Sequence, residues 1–417
     1  MRVLIVNTSE LTGGAAVAAN RLMKALNNNG VKAKMLVRDK ESDSLTVIGQ
    51  SRHALGEWYF LWERVVIWVC NLFSRKNLFK VSIANTGFDI TGLPEFAEAD
   101  IIHLHWINQG YLSLGSVEKI LRTGKPVVWT MHDMWEMTAI CHHAYDCERY
   151  QTACHDCPFL RLSGKHDLSA QVFKKKRRLL EGRRIHFVAV SSWLAGKARR
   201  SALTGNQPVS VIPNSISLSQ FSMIDRTDAR SILNISEQYI VVFGAARVDD
   251  DIKGLRYLMD ALRILVEQKG YGRQSLRLLL FGGIRDERVL SEMPVEVTYY
   301  GYVNDHSRLS EIYSAANAVV SSSLYETFGQ TLVEAQLCGC IPVAFTGSGQ
   351  MDIISHRQNG YLADYLSAES LADGLDWAFH SGLEPRDMKK DAVRRYGESV
   401  VANQYIQLYQ ELLKKDI

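Results

Sequence analysis

Tyr325-Glu326-Thr327-Phe328-Gly329-Gln330-Thr331-Leu332-Val333-Glu334-Ala335 decides how the chain reads. Two carboxylates lie eight positions apart, on either side of an aromatic–glycine turn that opens a helix-like run. Just before it, Ala318-Val319-Val320-Ser321-Ser322-Ser323 reads as a buried strand ending in small polar residues. Strand, glycine turn and helix N-terminus together are how a doubly wound α/β domain presents ligand groups at the carboxyl ends of its strands. Amides at a helix start suit a phosphate, and a carboxylate on each side can grip sugar hydroxyls. Leu337-Cys338-Gly339-Cys340-Ile341-Pro342-Val343-Ala344 follows as a helix stop and a further strand.

A second element lies upstream. Ile240-Val241-Val242-Phe243 is a short apolar strand, Gly244-Ala245-Ala246-Arg247 follows it, and Lys253-Gly254 comes six positions after the arginine. A planar guanidinium and a point-charge ammonium turned into one crevice can neutralise a diphosphate. The plainer alternative is two surface cations on a loop.

Together these elements resemble, over nearly the whole chain, the retaining nucleotide-sugar glycosyltransferases of GT-B architecture, specifically family 4. The resemblance implies two Rossmann-like, doubly wound α/β domains facing across a cleft. Glu326 and Glu334 match the family's paired glutamates, the first by the donor sugar and the second on the ribose. Arg247 and Lys253 match its diphosphate-binding pair. Gly13-Gly14-Ala15-Ala16 resembles its N-terminal glycine loop, and His132 in Trp129-Thr130-Met131-His132-Asp133 matches a histidine near the transferred sugar. Cys141–Pro158 resembles a cysteine-bearing insertion in a subset of capsule and exopolysaccharide enzymes, the colanic acid type among them.

The implied function is transfer of a sugar from a UDP- or GDP-sugar to a saccharide or lipid-linked saccharide acceptor. The setting implied is bacterial surface polysaccharide biosynthesis. The base would lie near Gly301-Tyr302-Val303. The amides after Phe328, at Gly329, Gln330 and Thr331, would join Arg247 and Lys253 on the departing diphosphate. Charge stabilisation of that kind is commonly the largest catalytic term, and two cations there remove the need for a divalent ion. His132 would touch the sugar or its phosphate, and the departing phosphate would take the acceptor's proton, with retention at the anomeric carbon. Three rivals stand beside this reading: a nucleotide-sugar epimerase or hydrolase of the same architecture, against which the Arg247/Lys253 and Glu326/Glu334 pattern speaks; a non-catalytic sugar-nucleotide-binding scaffold, disfavoured by the presence of all four charged residues; and a zinc-dependent or nucleic-acid-binding protein.

Composition sets outer bounds. A chain of 417 residues is too long for one ordinary core. Its 47% hydrophobic and 22% charged residues are ordinary for a globular protein, and a net charge of +3 does not point to nucleic acid. Met1-Arg2 leads straight into Val3-Leu4-Ile5-Val6, and neither a signal peptide nor an 18-residue apolar run is seen. Seven cysteines in such a chain do not read as a disulfide framework. The expectation is a cytoplasmic protein, at most at the inner face of the cytoplasmic membrane.

Strands and helices alternate on both sides of a break. Strands are expected at Arg2–Asn7, Lys34–Arg38, Asp100–Trp106, Pro126–Met131 and His186–Ser191, with helices at Ala15–Asn29 and Leu114–Arg122. Pro208 and Pro213 flank a short strand, which places a linker near 205–222. A second series follows at Tyr239–Ala245, Leu276–Phe281, Val297–Gly301, Ala318–Ser322 and Ile341–Phe345, with helices at Gly254–Lys269 and His306–Ala315. The domains expected are 1–205 (acceptor, carrying the 141–158 insertion) and 206–398 (donor), with a helix over 399–417 returning to the first.

Two features stand outside this scheme. Cys141, Cys147, Cys154 and Cys157 fall within 17 residues. They could enclose a structural zinc ion, with His142, His143 and His155 as alternative ligands, or form an unmetalled thiol cluster or disulfides. Trp58–Lys76 is strongly aromatic and apolar, interrupted at Glu63 and Arg64. A buried helix is its default reading, and peripheral contact with a membrane interface is the sharper one. Lys174–Arg178 and Arg183-Arg184 form a dense basic run, by default a solvated helix face, with contact to anionic lipid or to a diphosphate-linked lipid acceptor as the sharper reading. His103 and His105 are read as cleft lining or core.

Overall fold

The computed structural model describes residues 1–50 and 53–415. The chain forms two compact units, Met1–Ser215 with Val401–Ile417, and Ile216–Val400.

The first unit is built on seven parallel strands: β1 (Arg2–Ser9), β2 (Lys32–Asp39), β3 (Val47–Gly49), β4 (Ile101–Leu104), β5 (Val127–Met131), β6 (His186–Ala189) and β7 (Val209–Val211). Their order is β3-β2-β1-β4-β5-β6-β7. Val3 to Val6 are all buried, the near-continuous apolar run expected of a parallel strand. Helix α1 (Gly14–Asn28) contributes Ala19, Leu22, Met23, Ala25 and Leu26 to the core and stops where Gly30 takes a φ of 83°. The helix Glu398–Lys415 adds Val401, Ala402, Tyr405, Leu408 and Tyr409 to the same core. Its two tyrosine hydroxyls bond the sheet, Tyr405 to Thr130 Oγ1 at 2.9 Å and Tyr409 to His103 Nδ1 at 2.7 Å.

The second unit has six parallel strands: β8 (Tyr239–Arg247), β9 (Leu276–Gly283), β10 (Glu296–Tyr299), β11 (Ala318–Ser321), β12 (Ile341–Phe345) and β13 (Tyr361–Ala363), in the order β10-β9-β8-β11-β12-β13. Both sheets are therefore doubly wound. Chain order reverses between β1 and β4 in one and between β8 and β11 in the other. Crevices for ligands open at such reversals, outside the carboxyl ends of the strands.

Three readings need amendment. β3 and β13, three residues each, are extra strands at the sheet edges. β8 does not end before Arg247 but continues through it: a bulge after Gly244 lets Arg247 pair with Gly283. The third concerns helix α2 (His53–Cys70), whose outer face is not buried. Trp58, Leu61, Trp62, Val65 and Val69 are all exposed, at 44–59%. Glu63, Arg64 and Ile67, on the opposite side, are buried. The physical reason is that the two charged residues are satisfied inside. Glu63 Oε2 meets Arg64 Nη2 at 2.8 Å, and Glu63 Oε1 accepts the Ile83 and Ala84 amides at 2.7 and 2.8 Å. Arg64 Nη1 donates to the Val81 carbonyl at 3.0 Å. A buried ion pair persists only when most of its polar atoms find partners, and here Arg64 Nε alone of the guanidinium nitrogens has none.

Candidate functional site

At the β8/β11 reversal, the turn after β8 is tied to the end of β11. Ser322 Oγ donates to the carbonyls of Lys253 and Gly254 at 3.1 and 3.0 Å, and the Leu324 amide donates to the Ile252 carbonyl at 2.8 Å. Gly254 has a φ of 65°, and a Cβ there would lie 2.1 Å from the Ser322 carbonyl oxygen, so only glycine allows this approach. The approach brings Lys253 Nζ to 2.8 Å from Glu326 Oε2, with both side chains less than a third exposed. Arg247 lies alongside, its Nη2 2.7 Å from Asp250 Oδ2 and its Nε 3.5 Å from Asp249 Oδ1.

Glu326 is followed by a tight turn into the helix Gln330–Leu337. Gly329 is its N-cap at a φ of 108°, and no side chain caps it. The positive end of this helix therefore sits beside the Lys253–Glu326 pair in the chain. Four residues into the helix, Glu334 is buried at 9% exposure and accepts from the Tyr313 hydroxyl at 3.4 Å. Burial raises the Tyr313 phenol well above its ordinary range, and Glu334 adds to the effect. Phe328 is core: it is 3% exposed and edge-on to Tyr396. Gln330 and Thr331 are half-buried at the helix start. Gly301, whose carbonyl accepts the Gly282 amide at 2.7 Å, precedes a Tyr302 that is 66% exposed, and Val303 is half-buried.

The first unit carries the rest of the expected set. Gly13, at a φ of 94°, is the N-cap of α1 after β1, and Gly14 is that helix's first residue. His132 follows β5, its Nε2 2.8 Å from His105 Nδ1. Burial pushes His132 down to about 4, against the pull of Asp133, and pushes His103 down to about 3 with help from His132. Both rings are neutral at pH 7. Asp133 belongs to a network that sequence reading missed. Its Oδ2 accepts from Trp106 Nε1 at 2.9 Å and meets His142 Nδ1 at 2.7 Å, and its Oδ1 accepts the Trp135 amide at 2.7 Å. Burial would raise the Asp133 carboxyl, but His142 and these donors outweigh it and hold the group at about 2. The other residues missed are Asp249 and Asp250, although the run Asp249-Asp250-Asp251 between the two cations was a visible signal.

Cys141, Cys147, Cys154 and Cys157 all line one cavity of about 20 Å³. Among the described residues, however, no group of three or more His, Cys, Asp or Glu side chains is arranged to hold a metal ion. The zinc expectation thus finds no ligand set in the structure. Burial instead favours neutral thiols, pushing Cys154 up to about 11 and Cys157 up to about 12. All seven cysteines are free.

Two doubly wound units with cationic and carboxylate groups at a sheet reversal define a GT-B glycosyltransferase, and comparison with known proteins agrees. Residues 12–220 match Glycosyltransferase Family 4 and residues 225–395 match Glycosyl transferases group 1; the chain belongs to glycosyltransferase family 4. An uncharacterized glycosyltransferase of Methanocaldococcus jannaschii is 24% identical over 359 residues, 80% of this chain and 90% of that protein. WcaC of Escherichia coli K12, assigned as a colanic acid biosynthesis glycosyl transferase, is 23% identical over 331 residues, 75% and 76% of the two chains. Among solved structures, Anabaena HepE in complex with UDP and glucose superposes with a TM-score of 0.63 at 16% identity, covering 99% of this chain and 100% of that one.

Proposed function

We propose that the second unit binds a UDP- or GDP-sugar and that the first handles a saccharide acceptor, carried on a lipid. The sugar is transferred with retention in bacterial surface polysaccharide biosynthesis. The observation that carries this reading is the Lys253–Glu326 contact of 2.8 Å at the β8/β11 reversal, with Arg247 and the helix N-terminus at Gly329 alongside. A cation held by an internal carboxylate is poised to exchange that partner for a diphosphate, whose several anionic oxygens can take charge-assisted contacts from Lys253 and Arg247 together.

In this reading Arg247, Lys253 and the Gly329–Thr331 amides stabilise the leaving diphosphate, which acts without a metal ion. Glu326 then orients the sugar hydroxyls, Glu334 holds the ribose, and the segment Gly301–Val303 meets the base. The neutral His132 donates or accepts a hydrogen bond at the sugar and carries no charge of its own. The leaving phosphate oxygen takes the acceptor's proton as the new glycosidic bond forms. The colanic acid assignment of WcaC supports a surface polysaccharide product, and the UDP in the HepE structure supports a uridine nucleotide. A cytoplasmic enzyme working at the inner membrane face fits a lipid-linked acceptor.

Incubation with UDP- and GDP-sugars and a lipid-linked saccharide, followed by NMR of the product, tests the proposal. An anomeric coupling matching that of the donor is expected. An inverted coupling refutes retention. Free sugar or an epimerised nucleotide-sugar in place of a glycoside moves the epimerase or hydrolase reading to the front.

A further inference from the structure

Helix α2 is built the wrong way round for a globular surface. A surface helix normally buries its apolar stripe and shows charge to water. Here Glu63 and Arg64 point inward, while positions 58, 61, 62, 65 and 69, which share one face at helical spacing, present two tryptophans, a leucine and two valines outward. Trp58 and Trp62 stack on each other at 5.7 Å with ring planes 5° apart. The exposed surface continues past the helix end. Leu72 and Phe73 sit in the left-handed region at φ of 50° and 57°, and Phe73 stays 62% exposed while its ring meets Trp68 edge-on at 4.8 Å. Phe79 follows at 70% exposure. Large non-glycine side chains are rarely held in that backbone region, and where they are, the surrounding structure over-determines them. An apolar patch of this extent marks an interaction surface.

Charge identifies the occupant. From Arg64 to Phe88 the chain has Arg64, Arg75, Lys76 and Lys80 and no carboxylate. Arg64 is buried, whereas Arg75, Lys76 and Lys80 are exposed among Phe73 and Phe79. Exposed aromatic rings flanked by three exposed cations, against one exposed carboxylate at Glu57, match the boundary of an anionic bilayer, where rings enter the headgroup–acyl region and cations meet lipid phosphates. Among the described residues no helix is long and apolar enough to cross a membrane. We infer that the outer face of α2 and the segment Leu72–Lys80 dock in the plane of an anionic lipid surface. The inference deepens the transferase reading, on which it rests only in that a lipid-linked acceptor lies in such a surface.

The test is sedimentation of the full chain with phosphatidylglycerol–phosphatidylcholine vesicles and with phosphatidylcholine vesicles. Variants W62S/F73S and R75A/K76A are run beside the native chain. All four residues are exposed, so both variants should melt with the native protein. Native protein is expected on anionic vesicles, with tryptophan emission shifted to the blue. R75A/K76A should bind them roughly 30-fold more weakly, since each cation near such a surface is worth about fivefold. W62S/F73S should lose binding to both vesicle types and lose the blue shift. Native-like binding by W62S/F73S overturns the inference. So does a native dimer that W62S/F73S converts to monomer with vesicle binding unchanged, which assigns the face to a second copy. Melting with and without UDP or GDP separates the two readings. Vesicle binding lost with nucleotide stabilisation intact removes docking alone. Stabilisation absent with vesicle binding intact removes the transferase reading alone.

Discussion

Replacing Lys253 with alanine should do two things to a bound nucleoside diphosphate. It removes a charge-assisted contact worth roughly 1.5–3 kcal/mol, which weakens binding by about 10- to 150-fold. It also takes the ammonium away from Glu326, whose carboxylate sits 2.8 Å from it in the unliganded protein and would then face the phosphates without that cation. The second effect can be isolated, because Glu326→Gln removes the charge and keeps the shape. K253A/E326Q should bind the nucleotide about tenfold more tightly than K253A, a gain of about 1.4 kcal/mol, and the coupling in the double-mutant cycle is that gain less whatever E326Q gains in the native background. In the native background E326Q frees Lys253 from a partly exposed ion pair and should tighten UDP or GDP by no more than about fivefold. Calorimetric titration of the four proteins with whichever nucleotide binds gives all the constants. The free nucleotide is the right probe, since it carries no sugar for Glu326 to hold. A K253A affinity equal to native, or equal affinities for K253A and K253A/E326Q, would refute the reasoning.

Other outcomes follow from the same structure. Tyr302→Ala, at a 66% exposed position, should change stability by less than about 0.5 kcal/mol yet weaken UDP or GDP, while ribose 5-phosphate binding stays as it was. Tyr409→Phe leaves His103 Nδ1 without its 2.7 Å partner and should lower the first unit's stability by about 1–3 kcal/mol in urea unfolding. His103 and His132 are held at about 3 and about 4, below the ordinary 6.5. The unfolded chain therefore binds more protons than the folded one as pH falls from 6.5 to 4, and stability should drop through that window. Melting curves taken from pH 7.5 to 4.5 check this, and His103→Gln should flatten the slope. Prolonged chelator treatment should leave sugar transfer undiminished if the diphosphate is stabilised by Arg247 and Lys253 alone; loss of turnover restored by a divalent ion refutes that.

Alternating strand and helix signals were enough to read the doubly wound class, because parallel strands buried on both faces are dense in Val, Ile and Leu, as in Val3–Val6 and Leu278–Leu280. The edges were harder. Val47–Gly49 and Tyr361–Ala363 are too short to carry a periodic signal, and they count as strands only through their neighbours. The extension of β8 to Arg247 likewise depends on Gly283 across a bulge, a partner that is distant in sequence. Spacing along the chain indicated Glu326 and Lys253 as candidates, but their contact depends on Gly254 lying against the Ser322 carbonyl, a tertiary approach. Helix α2 shows the limit most sharply. Its apolar periodicity is plain, but periodicity does not say which way a face turns. The outcome rests on the Ile83 and Ala84 amides that accommodate Glu63 inside. The cysteine spacings raised the possibility of a metal, yet four sulfurs can line one cavity without converging as ligands.

The two sheets share the order 3-2-1-4-5-6 across their first six strands, but the carboxyl edges carry different electrostatics. At the β8/β11 edge the side chains are ionic and partly open to solvent, as in the Lys253–Glu326 and Arg247–Asp250 pairs. At the β4/β5 edge the His105 and His132 rings are uncharged and in contact, and the Asp133 carboxylate is matched by the Trp106 indole and by His142. Ionic strength should therefore act on the two halves of the reaction unequally. Dissolved salt competes with a diphosphate for exposed cations within roughly a 10 Å screening length at 0.1 M, but it has little to displace among neutral rings. In steady-state kinetics the donor KM should climb with added chloride while the acceptor KM, measured with a soluble saccharide, stays level.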